Sequence, residues 1–244
     1  LNFLDIDPYV EGNYIFLDKD ERNRFALNEH KYLIEQVQRI QIDGVKSSGK
    51  HKIEVAHPTK YMTWVGKRSD FSERNDFNNY TNWIYPNIPP YSKEYNYKTM
   101  YGSYTTTTLP FYTVGDSTQK DNFRTEYLNK DILTSVGLSF NGIFRLKEKD
   151  SDYFDSVQCY QHFKKNTRND GIYVYSFSLN VDEHQPSGSC NFSTINLIQL
   201  TLNINDLPTD SSSNNYYTYN FNVYILNYNI LRVMSGLGAL EFSN

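Results

Sequence analysis

Alternation of apolar and polar residues is the clearest pattern in this chain. From Ile198 to Asn205, apolar side chains occupy every second position, and the same spacing recurs from Asn220 to Ile225. A period of two is that of a β-strand with one face on a core and the other in solvent. The pattern therefore predicts antiparallel, half-solvated strands.

Applied to the whole chain, this pattern predicts eight strands and few helices. The predicted strands are Tyr9–Leu17, Tyr32–Gln41, His57–Val65, Gly137–Arg145, Gly171–Leu179, Leu197–Asn205, Tyr219–Asn229 and Gly238–Phe242. A short helix is predicted after Asp18, whose carboxylate can cap free backbone N–H groups, and a second between Ser151 and Phe163. Eight strands in two Greek-key sheets form a jelly roll. We therefore predict an all-β fold, an eight-stranded antiparallel jelly-roll sandwich of two four-stranded sheets, with residues 1–244 as a single domain.

One connection between the predicted strands is far longer than the others. The segment from Gly66 to Val136 is crowded with Tyr, Asn, Thr, Ser and Pro. Long connections of this kind in a compact domain are usually functional. We predict a surface insertion at about 66–136. A second polar stretch, Asp206 to Tyr216, is predicted to be a mobile hairpin connection.

Composition and charge indicate which classes of protein this chain can belong to. The 244 residues are 39% hydrophobic, which suits one large all-β domain, and the net charge is −4. A net negative charge argues against nucleic acid as a direct partner, because counterion release needs clustered Lys and Arg. Two cysteines are too few for a disulfide scaffold, so reduced thiols are expected. The chain begins with Leu, so we expect it to be a segment or a processed product of a longer polypeptide.

Catalytic and metal-binding patterns are weak in this sequence. His51, Glu54 and His57 come nearest to a metal site, but they lack the alternate-position histidines of a cupin site. Asp182, Glu183 and His184 could form an acid/base group, yet no nucleophile is placed beside them. We therefore predict a protein that is not an enzyme, with no catalytic residue, no metal and no cofactor.

Two segments carry a family pattern: the loop from His184 to Ser193 and the ending from Leu226 to Asn244. Further segments follow in the family's order: Asn13–Asp18, Glu21–Ala26, Tyr32–Gln38, His57–Lys60 running into Trp64-Val65, Leu138–Gly142, Tyr160–His162 and Gly171–Phe177. Together they resemble the C-terminal half of the major capsid protein of nucleocytoplasmic large double-stranded DNA viruses. The chain departs from that family at Thr194, where a basic residue is usual, and in the length of its insertion.

The resemblance implies a structural virion protein. In that family each subunit carries two consecutive jelly rolls, and three subunits form a pseudo-hexameric capsomer of the icosahedral outer shell. The implied partners are a homotrimer, the N-terminal jelly roll of the same parent chain, neighbouring capsomers and minor capsid proteins. The implied location is the outer capsid shell of the virion, with synthesis and assembly in the host cytoplasm.

The loop that carries the resemblance is predicted to be structural. Its residues are His184, Gln185, Pro186, Ser187, Gly188, Cys190, Asn191 and Phe192. Amide hydrogen bonds, a rigid proline and a glycine turn would make it a clamp at the capsomer surface or between subunits, with Phe192 returning the chain to the core.

A carbohydrate-binding module is the alternative function, with Trp64, Trp83 or loop tyrosines as a stacking platform for sugars. Surface glycans on the protein itself are also possible. Asn79 and Asn191 both begin the N-glycosylation pattern, and Asn79 is expected to be the accessible one of the two.

Overall fold

Ten strands, two short helices and two single helical turns make up the described part of the chain. The computed structural model describes residues 9–72, 77–82, 130–164, 170–207 and 217–242. In chain order the elements are α1 (Lys19–Leu27), β1 (His30–Val45), β2 (Gly49–Ile53), β3 (Pro58–Arg68), β4 (Leu133–Phe140), β5 (Ile143–Asp150), a π-helical turn (Tyr153–Val157), α2 (Gln158–His162), β6 (Ile172–Ser176), β7 (Cys190–Asn191), a 3₁₀ turn (Phe192–Thr194), β8 (Ile198–Ile204), β9 (Tyr219–Met234) and β10 (Leu237–Leu240).

The strands form two sheets with jelly-roll connectivity. One sheet has the order β1-β9-β3-β6, with β10 beside β9 and β7 beside β3, and the other has the order β2-β8-β4-β5. Without the two short strands β7 and β10, eight strands remain in two sheets of four. Among these eight, the first pairs with the last, the second with the seventh, the third with the sixth and the fourth with the fifth. This nested pairing is that of a jelly roll. The predicted fold class is confirmed.

The membership of the eight strands differs from the prediction at four places. The predicted closing strand Gly238–Phe242 is β10 (Leu237–Leu240), which is not one of the eight. Residues 9–17 form no strand, and the predicted strand 137–145 is the β4–β5 hairpin. Asn141 and Gly142 make its turn with φ of 51° and 83°, as Asn-Gly does in tight hairpins. The strand β2 was not predicted, because its sequence Gly-Lys-His-Lys-Ile has no apolar alternation and only its pairing with β8 makes it a strand.

Apolar side chains from both sheets fill the space between them. In β8, Ile198, Leu200 and Leu202 are buried, and in β9, Val223 and Ile225 are fully buried, as the alternation predicts. Each fully buried side chain of this size contributes about 1.5–3 kcal/mol relative to exposure. The two alternating segments therefore supply much of the core.

Both predicted helical regions are confirmed. The carboxylate of Asp18 accepts a hydrogen bond from the backbone N–H of Glu21 at 2.8 Å and caps α1. The π-helical turn and α2 occupy the second region, where Phe154 is buried in the core.

The chain divides into two compact units. The smaller contains Leu1–Ile34 and Asn229–Ser243, and the larger contains Glu35–Tyr228. In the smaller unit, β10 pairs with the end of β9, and ion pairs join Lys31 to Glu241 and Arg232 to Glu29. The helix α1 has no buried residue.

The long connection is slightly shorter than predicted, because β3 continues to Arg68 and β4 begins at Leu133. Only residues 69–72, 77–82 and 130–132 of it lie within the described part. The prolines and most of the aromatic residues on which the insertion was predicted lie outside the described residues. The same holds for most of the predicted hairpin connection from Asp206 to Tyr216.

Two glycines with positive φ offer a test of this packing. Gly171 has φ +79°, and a Cβ there would stand 2.2 Å from the carbonyl oxygen of Tyr80, whereas Gly142 has φ +83° and open space. We expect Gly142→Ala to cost about 1 kcal/mol, the strain of the left-handed conformation alone. Gly171→Ala adds a backbone clash, so we expect a loss of about 3 kcal/mol or more in urea unfolding. Equal losses for the two variants would contradict this account.

Candidate assembly site

The predicted clamp loop is anchored at its C-terminal end. Its residues Cys190 and Asn191 form β7, which pairs with the start of β3 at Thr59 and Pro58. The next residue, Phe192, is buried and packs edge-on against neighbouring phenylalanine rings. The loop thus ends on the central strand of the larger sheet.

The turn before β3 is held by the same segment. His57 is buried and has φ of 75°, which is uncommon for a residue other than glycine. Its backbone N–H donates to Ser193 Oγ at 2.7 Å, and its carbonyl accepts from the N–H of Phe192 at 3.1 Å. These two bonds hold the strained turn, so residues far apart in the sequence fix where β3 begins.

The other end of the loop is tied to the chain after β6. Ser187 Oγ accepts from the N–H of Asn180 at 2.9 Å and donates to its carbonyl at 3.0 Å. Gly188 has φ of 137°, and a Cβ there would stand 3.1 Å from the carbonyl of Phe177. His184, Gln185 and Pro186 are exposed between the two anchors. The loop therefore presents an exposed tip on a fixed base.

A buried lysine lies beside this loop. The side chain of Lys60 is 3% exposed, and its Nζ contacts Glu35 Oε1 at 2.6 Å and the carbonyl of Glu183 at 3.2 Å. The ammonium also lies 5.8 Å from the ring centre of Tyr228. Pairing of β3 with β9 shifts register between Thr59 and Tyr61, so Lys60 occupies an irregularity in the strand. One cation thus joins β1, β3 and the segment leading into the loop.

A polar network joins the two ends of the long connection. Asn82 donates its backbone N–H to the carbonyl of Lys130 at 2.8 Å and its side-chain amide to the carbonyl of Asp131 at 3.3 Å. The hydroxyl of Tyr219 donates to Asn82 Oδ1 at 2.7 Å. The buried guanidinium of Arg68 donates to the carbonyl of Asn82 at 3.4 Å. The base of the insertion is therefore fixed to β3 and β9.

Comparisons with known proteins identify the family. The sequence profile described as "Large eukaryotic DNA virus major capsid protein" matches residues 21–239. The chain belongs to this family. The resemblance drawn from the sequence is confirmed.

The capsid-protein relatives are about twice as long as this chain. The major capsid protein of Paramecium bursaria Chlorella virus 1 is 33% identical over 95% of this chain and 53% of its own length. The major capsid protein of Pyramimonas orientalis virus is 32% identical over 97% of this chain and 48% of its own length. The chain spans about half the length of the curated relatives it matches.

A solved structure shows the same relationship in three dimensions. A quasi-atomic model of the PBCV-1 virus capsid superimposes with a TM-score of 0.66 and 30% identity, over 95% of this chain and 56% of that one. The Faustovirus major capsid protein, at 13% identity and a TM-score of 0.52, shares the fold.

The two candidate glycosylation residues differ from expectation. Asn79 was expected to be accessible, but its side chain is buried, and Oδ1 accepts hydrogen bonds from Thr81 N–H at 2.9 Å and Thr81 Oγ1 at 2.7 Å. Asn191 is exposed, and its Oδ1 accepts from the N–H of Ser193 at 3.1 Å. Burial and local bonding make Asn79 the poorer acceptor, and a glycan at Asn191 stays a prediction.

Two of the residues considered for catalysis, Asp182 and Glu183, have structural partners. Asp182 accepts a hydrogen bond from the N–H of Lys164 at 2.6 Å, and Glu183 forms an ion pair with the Lys164 ammonium at 3.3 Å. Among the described residues, no three His, Cys, Asp or Glu side chains are grouped to hold a metal. Burial raises the pKa of both Cys159 and Cys190, which disfavours the nucleophilic thiolate form.

Within the described ranges, no helix is long and apolar enough to cross a membrane.

Sequence reasoning missed the pairing of Lys60 with Glu35. The only signal was a lysine inside a predicted strand, and its partner is 25 positions away.

We expect Glu35→Gln to lower the free energy of unfolding by about 2 kcal/mol, because the buried ammonium group of Lys60 loses its carboxylate partner. Glu54→Gln is the matched control, since the Lys52–Glu54 pair is exposed to solvent and should contribute far less to stability. Urea unfolding of the two variants measures the difference. Losses of the same size would show that Lys60 does not depend on Glu35.

An acidic group lies at the base of the insertion. Burial raises the pKa of Asp131 to about 6, and the carboxylates of Asp155 and Asp152 add to the increase, while Lys130 opposes it. The folded protein therefore binds this proton more tightly than the unfolded chain does. The contribution of Asp131 to the free energy of unfolding is therefore most favourable below about pH 4, and it falls as the pH rises through about 6.

Asp131→Asn should remove this loss of stability at higher pH. We expect the variant to gain on the order of 1 kcal/mol at pH 7, allowing for solvent screening, and nothing at pH 4. Urea unfolding at pH 4, 5, 6 and 7 tests this. Asp43→Asn, at an exposed carboxylate that accepts a hydrogen bond from Gln41, is the control for the loss of one surface charge. A variant less stable than wild type at pH 7 would contradict the expectation.

Proposed function

We propose that this chain is the C-terminal jelly roll of a double-jelly-roll major capsid protein. The observation that carries the proposal is a complete jelly roll in a chain that spans about half of its capsid-protein relatives. Residues 1–244 would then form one of two jelly rolls, and the insertion between β3 and β4 would be a surface feature of the capsomer.

The proposed assembly is a homotrimer that acts as a pseudo-hexameric capsomer of the icosahedral outer shell. Its partners are the N-terminal jelly roll of the same parent chain, neighbouring capsomers and minor capsid proteins. It is located in the virion shell after synthesis in the host cytoplasm. The role is structural, without catalysis, cofactor or direct contact with nucleic acid.

Exposed apolar side chains support a role in assembly. More than half of the exposed large apolar residues in the described chain lie in the smaller unit. They are Tyr9, Val10, Tyr14, Ile15, Phe16, Phe25, Leu27, Tyr32, Leu33, Met234, Leu237, Leu240 and Phe242. Contiguous exposed apolar surface is typical of protein interfaces. Permanent assemblies bury on the order of 2,000–5,000 Å² in such interfaces.

The carbohydrate-binding alternative loses one of its candidate residues. Trp64 is 1% exposed and packs between Phe154 and Tyr173, so it offers no face to a sugar. Trp83 lies outside the described residues. No observation on this chain favours the lectin function over the capsid role.

Native mass spectrometry of the full-length polypeptide, purified from virions, tests the proposal. We expect a trimer whose subunit is about twice the length of this chain and which survives dilution, because obligate interfaces are large. The same measurement on this chain alone should show concentration-dependent association, since its apolar surface lacks its cover. A full-length polypeptide that remains monomeric at high concentration would overturn the proposal.

A further inference from the structure

The strand β1 is a long strand at the edge of the larger sheet. It has 16 residues, and within the described part of the chain its one partner strand is β9. The backbone groups on its other edge face no described strand. A long strand edge of this kind is a template for pairing with another chain.

The other outer strands are protected against such pairing. β2 and β6 have five residues each, and β2 carries Lys50 and Lys52. β5 carries Lys147 and Lys149. Short length and charged side chains, lysine especially, are the usual protection of a strand edge. β1 is longer, has no proline, and has its one lysine, Lys31, near its start.

The sequence of β1 is symmetrical in character about Val37. Amide and apolar residues match in type, and the matching pairs are Gln36 with Gln38, Ile34 with Ile40 and Tyr32 with Ile42. Charged residues match by opposite sign, and these pairs are Glu35 with Arg39 and Lys31 with Asp43. Between residues 31 and 43, only Leu33 with Gln41 does not match.

This symmetry makes β1 complementary to a second copy of itself. When two β1 strands pair antiparallel about a two-fold axis at Val37, each residue lies directly opposite its match, on the same face of the sheet. Directly opposite side chains are close enough to interact, and opposite charges there are favourable. Two Glu35–Arg39 pairs and two Lys31–Asp43 pairs would form.

The charged side chains of β1 are placed to form these pairs. Arg39 donates to two side-chain amide oxygens at 2.7 Å and 3.0 Å, and among the described residues no carboxylate pairs with it. Asp43 accepts from an amide at 2.7 Å, and no cation in the same part of the chain pairs with it. Glu35 contacts Lys60 through Oε1, and its side chain is still 37% exposed. The side chain of Lys31 is 49% exposed.

A contact of this kind joins subunits in pairs. The same surface is used by both copies, so the contact closes on itself after two subunits. It cannot generate a ring of three, and it therefore differs from the contact that would hold a trimer together.

We propose that two copies of this chain pair antiparallel along the free edges of β1, about a two-fold axis at Val37, and so join neighbouring capsomers. The strand pairing is inferred from β1 itself, whereas its place between capsomers rests on the proposed function. Main-chain hydrogen bonds would make the two larger sheets continuous, and the charged pairs would fix the register.

Single cysteine substitutions test the register on the recombinant full-length polypeptide. Val37→Cys places two thiols opposite each other, within the roughly 4–7 Å between Cα atoms that a disulfide needs. We expect it to form a covalent dimer of subunits under mild oxidation. Gln41→Cys is the matched control on the same strand face, because the axis separates its two copies by on the order of 27 Å. Equal crosslinking of the two variants would overturn the proposal. The unsubstituted polypeptide gives the background from Cys159 and Cys190.

Charge reversal tests the pairing of side chains. Added to Val37→Cys, Arg39→Glu opposes two carboxylates at each Glu35, and we expect disulfide formation to slow about tenfold. Lys147→Glu changes the net charge equally on the outer strand β5 and should have no effect. Asp43→Lys should also slow the reaction, and adding Lys31→Asp should restore it. A double variant that stays slow would contradict the proposed register.

Native mass of the same samples separates this inference from the proposed function. A trimer that forms no disulfide through Val37→Cys refutes only the strand pairing. A monomer that does form this disulfide supports the strand pairing and refutes the trimer. Protection of β1 amides from hydrogen exchange without any crosslink would assign its edge to the upstream half of the polypeptide and overturn the inference.

Discussion

Burial of Trp64 at the centre of β3 is the interaction on which the rest of the domain depends. Its neighbours across the sheet are Tyr173 in β6 and Val223 in β9, and its ring packs on Phe154 from the helical turn. Because β3 has partner strands on both sides along most of its length, a shift in its register would move every inward side chain outward. The packing around this residue therefore fixes the register of the larger sheet and the position of the helical turn.

Polar contacts at both ends of β3 fix the conformation of the loops that adjoin this packed core. At the start, His57 bonds to the segment that carries the family pattern, and Lys60 bonds to Glu183 just before that segment. At the end, Arg68 bonds to the base of the long insertion. Buried polar groups need partners, so each loop can satisfy these groups in few ways. Surface loops on a rigid sandwich are what an assembling shell protein requires, since contacts between subunits depend on fixed geometry.

The structure could be predicted from the sequence where the residues of a single segment determine its conformation. Alternation in β8 and β9 predicted two core strands, and Asp18 predicted the start of α1. The strand β2 could not be predicted, because pairing with β8 rather than its own residues makes it extended. The same limit applies to the ion pair of Lys60 with Glu35, which depends on an irregularity in β3. Burial of Asn79 was missed because its bonds to Thr81 form only in the folded connection. Residues 9–17 were predicted as a strand from their own sequence, but no described strand of this chain pairs with them.

The central claim is that this jelly roll is one of two in a trimeric capsomer, and a near-atomic cryo-electron microscopy reconstruction of the virion tests it most directly. The account predicts three copies of this fold around each capsomer axis, alternating with three copies of a second jelly roll. Capsomers that lack this fold, or its presence only in isolated surface projections, would contradict the claim.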